Sequence, residues 1–157
     1  MLKDTITLCP DDFLSSNKRF FYILYHTLLF LDYYLTNPPK DFSPPLPFTI
    51  KEPPDLPEDA IDDIIPDRMY DRQELLAWLR AGRDKAYQVI ANLTEETIDN
   101  RWKEDEEDVS PPVMDYSILE ILLYNMRHVQ HHTAQLNMLL RQGINVAPGW
   151  KGRAGEL

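Results

Sequence analysis

Apolar positions recur at helical spacing in three long segments, which are separated by stretches rich in proline or glycine. The most apolar segment runs from Phe20 to Leu35, where thirteen of sixteen residues are aliphatic or aromatic. We predict a helix over about residues 16–36. It should end at Asn37, because the two prolines that follow cannot continue a helix and disfavour helical backbone just before them.

Two further helices are marked by capping boxes, in which a short polar residue precedes a glutamate by three positions. Asp71 and Glu74 open one of them, and its apolar residues then fall on one face: Leu75, Leu79, Gly82, Ala86, Val89, Ile90 and Leu93. Gly82 in that stripe either permits the close approach of another helix or is simply a glycine that the helix tolerates. Ser117 and Glu120 open the other, which we expect to run to about Gln142 and to stop at Gly143.

The remaining chain holds a short helix near Met1–Leu8 and a Pro-rich crossover over residues 37–70. Nine of the thirteen prolines lie between Pro38 and Pro66. We expect an ordered, extended crossover that is anchored by four apolar side chains, namely Phe42, Leu46, Phe48 and Ile50. No alternating strand pattern of useful length is visible. The pattern predicts one all-α domain over residues 1–157, a four-helix bundle with a shortened first helix.

The composition and net charge of the chain argue against several classes of function. The net charge is −10 and the sequence pI is about 4.7, which disfavours binding to nucleic acids or to anionic membranes. Cys9 is the single cysteine, so an internal disulfide framework and a cysteine-based zinc cage are excluded. The start of the chain lacks the apolar run of a signal peptide, and the Phe20–Leu35 stretch is shorter than a membrane span. We therefore expect a soluble cytoplasmic protein.

An acidic run over residues 95–108 contains eight carboxylates. It lacks the central glycine and the final glutamate of an EF-hand calcium loop, so the sequence predicts a solvated acidic turn instead.

Four histidines carry the candidate chemistry. His128, His131 and His132 lie in the last helix, and His26 lies in the most apolar helix. At helical spacing His132 is about 40° from His128, on the side of the apolar residues, whereas His131 is turned about 60° toward the polar side. Two inward imidazoles one turn apart can share one metal ion, with a third ligand from another helix. The alternative is a set of hydrogen-bonded core histidines.

The sequence lacks the motifs of several catalytic classes. Val129 follows His128, so the glutamate of an H-E-x-x-H protease is missing, and the sequence has no P-loop, dinucleotide fingerprint or serine nucleophile elbow. Cys9, which precedes a proline, is interpreted as incidental. Asp32 is the carboxylate nearest to His26 along the helix, but helical spacing turns it away.

Three polar residues are weak candidates for supporting roles at the site. Asn125 and Gln135 lie near the histidine face, where they would orient ligands or substrate, and Tyr124 is placed to donate a proton. Ordinary packing or hydrogen bonding is the alternative for each.

Two segments and their order carry a family resemblance. They are Phe20–Asp32, with His26 in its middle, and Asn125–Leu136, with the paired His128 and His132; the long crossover and a middle helix lie between them. The chain resembles the DinB/YfiT-like superfamily of metalloenzymes. The resemblance implies a four-helix bundle and a divalent metal ion, often nickel, zinc or iron, held by His26, His128 and His132. Family members usually have a fuller first helix.

The resemblance also implies a range of activities. A three-histidine site leaves coordination positions open for water or substrate. Relatives include thiol-dependent transferases and isomerases, so we expect a metal-dependent transferase or hydrolase acting on a small molecule, with a low-molecular-weight thiol as one option. The alternative is a non-catalytic helical-bundle stress or interaction protein with a vestigial or structural metal site.

Opposite faces of the second segment are both apolar. One carries His26 and Phe30, and the other carries Leu24, Leu28 and Leu35. This helix is therefore either central in the bundle or packed across a dimer interface, and we expect a homodimer.

Overall fold

The computed structural model describes residues 1–104 and 113–152, and these confirm a mostly helical fold. The described helices are α1 (Leu2–Leu8), α2 (Asp11–Ser16), α3 (Lys18–Tyr33), α4 (Arg72–Ala91) and α5 (Ile118–Ile144). The three long helices and the short α1 lie where the sequence predicted them. Helix α2 was not predicted, because six residues are too few to show a periodic apolar pattern.

Side-chain caps explain where the long helices begin. Asp71 and Ser117 accept hydrogen bonds from the backbone N–H groups of Glu74 and Glu120, and both glutamates accept from the capping residue in return. Both predicted capping boxes are therefore confirmed. Asn17 caps α3 by accepting from the backbone N–H of Phe20, which starts that helix slightly later than expected.

The predicted stop of the last helix at Gly143 is wrong. Helix α5 continues through Gly143 to Ile144, and Asn145 adopts the left-handed conformation with φ of 55°. Asparagine tolerates this conformation better than most residues, so it ends the helix here. Gly143 serves packing instead, since a methyl group on it would lie 2.4 Å from a ring carbon of Phe13.

Two small antiparallel sheets also depart from the all-α prediction. Strands β1 (Phe48–Ile50) and β2 (Ile64–Pro66) pair inside the crossover, and β3 (Arg101–Lys103) pairs with β4 (Asp115–Ser117). Three residues per strand cannot display an alternating pattern that separates them from loop. The fold is thus mainly helical with short β-hairpins, rather than a bundle of four comparable helices.

Helix packing places α3 at the centre of the molecule. It lies against α4 and α5, and α1 packs against the same two helices. Leu24 and Leu28, on one apolar face of α3, are almost fully buried within the single chain. The two apolar faces of this segment are therefore explained by its central position. Among the described helices, none is both long enough and apolar enough to span a membrane.

The Pro-rich crossover packs against the helices and is held there by tyrosine hydroxyls. Tyr25 donates to the carbonyl of Leu46 at 2.5 Å, and Tyr70 donates to the carbonyl of Pro47 at 2.6 Å. Leu46 is buried, and Phe42 and Phe48 pack against the core. The prediction for Ile50 is wrong, because its side chain is 66% exposed.

The acidic segment is only partly a solvated turn. Glu104 is 5% exposed and accepts hydrogen bonds from the Tyr33 hydroxyl at 2.8 Å and from the backbone N–H of Met114 at 3.0 Å. Trp102, within the same run, is fully buried. The prediction of a fully solvated turn is therefore wrong for these residues, and its last four acids, 105–108, lie outside the described residues.

Candidate metal centre

Three histidines from two helices meet where α3 crosses α5. His26 Nε2 lies 2.9 Å from His128 Nε2, and the ring centroid of His132 is 4.7 Å from that of His26 and 4.5 Å from that of His128. One ring nitrogen of each residue lies within 4.8 Å of the others, which is close enough for the three to bind one ion. His131 is exposed, as its helical position predicted.

A carboxylate from the crossover fixes the orientation of His26. Asp62 Oδ2 is hydrogen-bonded to His26 Nδ1, and the two side chains are 23% and 16% exposed. An acceptor at Nδ1 keeps the proton on that nitrogen, so the lone pair of His26 is on Nε2, which faces His128. The sequence analysis missed Asp62, since it is 36 residues from His26 and no spacing rule connects the two.

Gln135 orients the second histidine. Its side-chain carbonyl Oε1 accepts a hydrogen bond from His132 Nδ1 at 2.8 Å, one turn along α5. The lone pair of His132 is then left on Nε2. Of the three weak candidates for supporting roles, Gln135 is thus the one that contacts a histidine of the triad by a hydrogen bond.

Burial keeps the paired histidines neutral. It lowers the pKa of His128 to about 3, with smaller contributions from the neighbouring imidazoles, and it also lowers the pKa of His132. A neutral imidazole has a free lone pair, which a metal ligand requires. The Nδ1 atom of His128 is buried with no hydrogen-bond partner in the described part of the chain, and its Nε2 is the ring nitrogen that faces His26.

The donor set fits a divalent transition-metal ion. Imidazole nitrogen suits zinc, nickel and iron, and nitrogen ligands lie about 2.0–2.1 Å from zinc. Two Nε2 atoms separated by 2.9 Å can both reach one ion at that distance. Without an ion, their two lone pairs would repel unless one nitrogen carried a proton.

Asn125 and Tyr124 lie in packed positions beside this centre. Asn125 is buried and donates from Nδ2 to the carbonyl of Leu31 at 3.0 Å, which joins α5 to α3. The Tyr124 ring packs against Tyr34, whose ring in turn packs against His128.

Asp32 points away from the histidines, as predicted. Its Oδ1 lies 2.6 Å from Lys85 Nζ, and its Oδ2 accepts a hydrogen bond from Trp78 Nε1 at 2.9 Å. Asp32 therefore joins α3 to α4 and is not a base at the centre.

Comparisons with known proteins agree with this geometry at the level of the family. No curated protein and no solved structure matches the chain significantly. The family model of the DinB superfamily matches residues 20–136, a span that includes all three histidines, Asp62 and Gln135. Because this match covers well over half of the sequence, the chain belongs to the DinB superfamily.

Proposed function

We propose that this protein is a metal-dependent enzyme of the DinB type, in which His26, His128 and His132 hold one divalent metal ion, with nickel, zinc and iron as the candidates. The observation that carries the proposal is the convergence of three imidazoles from α3 and α5, whose ring nitrogens lie within 4.8 Å of one another. Burying this much polar surface without a shared ligand would be costly. Asp62 and Gln135, which hold two of the rings by Nδ1, support the same assignment.

The proposed reaction is transfer to or from a low-molecular-weight thiol, or hydrolysis of a small electrophilic substrate. A bound metal ion with open coordination positions would lower the pKa of a thiol or a water molecule, which produces the nucleophile. The chain's own residues orient the ligands and shape the surroundings. The centroid of the Phe30 ring lies 4.6 Å from that of His26 and the centroid of the Tyr34 ring lies 5.8 Å from that of His128, so aromatic rings line one side of the centre.

We also propose that residues 1–157 form one DinB-type bundle domain with a shortened first helix. The protein works in the cytoplasm, where a thiol substrate stays reduced. It needs no nucleic acid or membrane partner, which agrees with its net charge of −10.

The competing function is a non-catalytic bundle that keeps a structural or vestigial metal site. The three converging imidazoles would also suit a metal that only stabilises the fold. The two functions differ in turnover, because only an enzyme converts an electrophile in the presence of metal and thiol.

The first test is metal content by elemental mass spectrometry, on protein purified without a nickel column. We expect about one metal ion per chain in the native protein and loss of that ion in His128→Ala. His131→Ala is the matched control, since His131 lies in the same helix but is exposed and outside the triad. Retention of metal by His128→Ala, or no metal after incubation with divalent ions, would contradict the proposal. A positive result leads to a screen of thiols with electrophiles, which separates the enzyme from the structural site.

A further inference from the structure

We propose that Asp62 is a positioning residue that couples metal binding to the docking of the Pro-rich crossover on α3. The inference rests on the proposed metal site, and it adds a second consequence of loading that site. Occupancy of the centre stabilises the crossover, and the docked crossover raises the affinity of the centre for its ion.

The Asp62 carboxylate joins the hairpin of the crossover to the centre. Its Oδ2 is bonded to His26 Nδ1, while its Oδ1 accepts a hydrogen bond from the backbone N–H of Ile64 at 3.0 Å. Ile64 is the first residue of β2, which pairs with β1. One carboxylate therefore ties the hairpin to a histidine of the triad, and the hairpin cannot leave α3 without releasing His26.

The preceding crossover residues lie along the same face of α3. The Arg19 guanidinium donates to the carbonyls of Asp59 at 3.2 Å and Ala60 at 2.8 Å. Arg19 and His26 are seven residues apart, about two turns, so both project from one side of the helix. The segment from Asp59 to Asp62 thus follows this face from Arg19 to the metal centre.

The charge of Asp62 extends beyond His26. The Asp62 carboxylate lies against His26, and the His26 ring packs on that of His132 with centroids 4.7 Å apart. A negative charge near neutral imidazoles favours a cation bound among them. It also increases the basicity of the histidine that it contacts.

These contacts determine how much metal affinity should fall without Asp62, and they make the coupling act in both directions. Loss of a hydrogen-bond partner of a metal-ligating histidine typically lowers metal affinity by roughly 10–100-fold. Coupling between two equilibria is reciprocal, so metal binding must favour the docked crossover by the same factor by which docking favours the metal.

Affinity is measured first, with Zn²⁺ and Co²⁺ in competition with a chromophoric chelator. We expect Asp62→Ala to bind both ions roughly 10–100-fold more weakly than the native protein. Asp62→Asn, which keeps an acceptor oxygen but loses the charge, should lie between them. Asp63→Ala is the matched control, because Asp63 is the adjacent carboxylate and is exposed. The visible spectrum of bound Co²⁺ should change in Asp62→Ala and not in Asp63→Ala, which reports the orientation of the ligands themselves.

Hydrogen exchange then tests the coupling in the other direction. In the native protein and in Asp63→Ala, Zn²⁺ should slow amide exchange in residues 48–66. In Asp62→Ala this difference between metal-free and loaded protein should largely disappear. A purely structural role of Asp62 would change exchange in the metal-free protein and leave the metal-dependent difference intact.

Arg19→Met provides an independent variant that contacts no histidine of the triad. It should loosen the crossover and weaken metal binding by less than Asp62→Ala. Equal affinities for Asp62→Ala and Asp63→Ala, or no metal-dependent protection of residues 48–66 in the native protein, would overturn the coupling alone. A native protein that binds neither ion would overturn the proposed metal site as well.

Discussion

The ring of Phe13 in α2 packs directly against the backbone of Gly143 in α5. A methyl group at Gly143 would lie 2.4 Å from Phe13 Cε2 and 2.9 Å from Cζ, closer than such atoms can approach. Phe13 also packs edge to face on Phe20, with ring centroids 5.6 Å apart. The glycine is therefore required by the approach of α2 to α5, and α5 continues through it.

Substitution of Gly143 by alanine should destabilise the fold. We expect a loss of about 1–3 kcal/mol in the free energy of unfolding, because Phe13 must move out of a packed position. Gly82→Ala should cost much less, since the new methyl group would meet the end of the flexible Leu31 side chain at 3.2 Å and alanine gains about 1 kcal/mol in helix propensity. Urea unfolding measures both.

Gly149→Ala is the control for these glycine variants, because a methyl group added there would have no neighbouring atom within 4 Å in the described part of the chain. A Gly143→Ala protein as stable as Gly149→Ala would show that Phe13 does not pack there in solution.

Asp32→Ala should weaken the contact between α3 and α4. The change removes the acceptor of Trp78 Nε1 and the partner of Lys85, and the Asp32 side chain is only 15% exposed. Lys85 keeps the Thr36 hydroxyl and the Asp32 carbonyl as acceptors, but the Trp78 N–H loses its acceptor, which costs about 1–3 kcal/mol. Asp115→Ala is the comparison, since its pair with Arg101 is exposed and should contribute about 0–1 kcal/mol. Equal losses of stability in the two variants, measured by chemical denaturation, would contradict this interpretation.

Cys9 should be inert in the native protein. Burial raises the pKa of the Cys9 thiol from 9.0 to about 11, so near pH 8 the reactive thiolate is scarce. Alkylation by iodoacetamide, followed by mass spectrometry, should be slow in buffer and fast in urea. Rapid labelling of the native protein would contradict this burial.

The raised pKa of Cys9 also makes the stability of the fold depend on pH. The native state keeps a proton that the unfolded thiol releases above pH 9, so stability should fall as the pH rises from about 9 toward 11. In Cys9→Ala this part of the pH dependence should be absent, which pH-dependent unfolding curves can show.

The homodimer expected from the sequence is best tested on an exposed face of α5. Thr5 of α1 donates to Asn137 at 2.7 Å and so covers this face near its carboxyl end. Leu119, Leu123 and Met126 continue the same face and are 42%, 48% and 51% exposed. If a second copy covers them, Leu123→Asp should convert a dimer into a monomer in light-scattering measurements of mass.

Met138→Asp is the matched control for the dimer, since Met138 is 53% exposed but lies on another face of α5. It should leave the mass unchanged. A monomeric native protein would contradict the dimer directly.

The sequence alone determined the features that depend on local interactions. Capping boxes at Asp71 and Ser117 and the apolar spacing of the long helices act within a few residues, so their outcome is visible in the pattern. The same holds for His128 and His132, which helical geometry places on one face. The resemblance to the DinB superfamily, carried by these segments, is confirmed by the family match over residues 20–136.

Only the tertiary structure decided which distant residues meet. Three contacts join parts of the chain that no spacing rule connects. They are those of Asp62 with His26, of Phe13 with Gly143 and of Glu104 with Tyr33. Gly143 shows the difference most clearly. By sequence it is a helix terminator, yet the ring packed against it requires a glycine inside the helix. Such contacts depend on how whole helices and the crossover pack together, and packing is a property of the complete fold rather than of a local pattern.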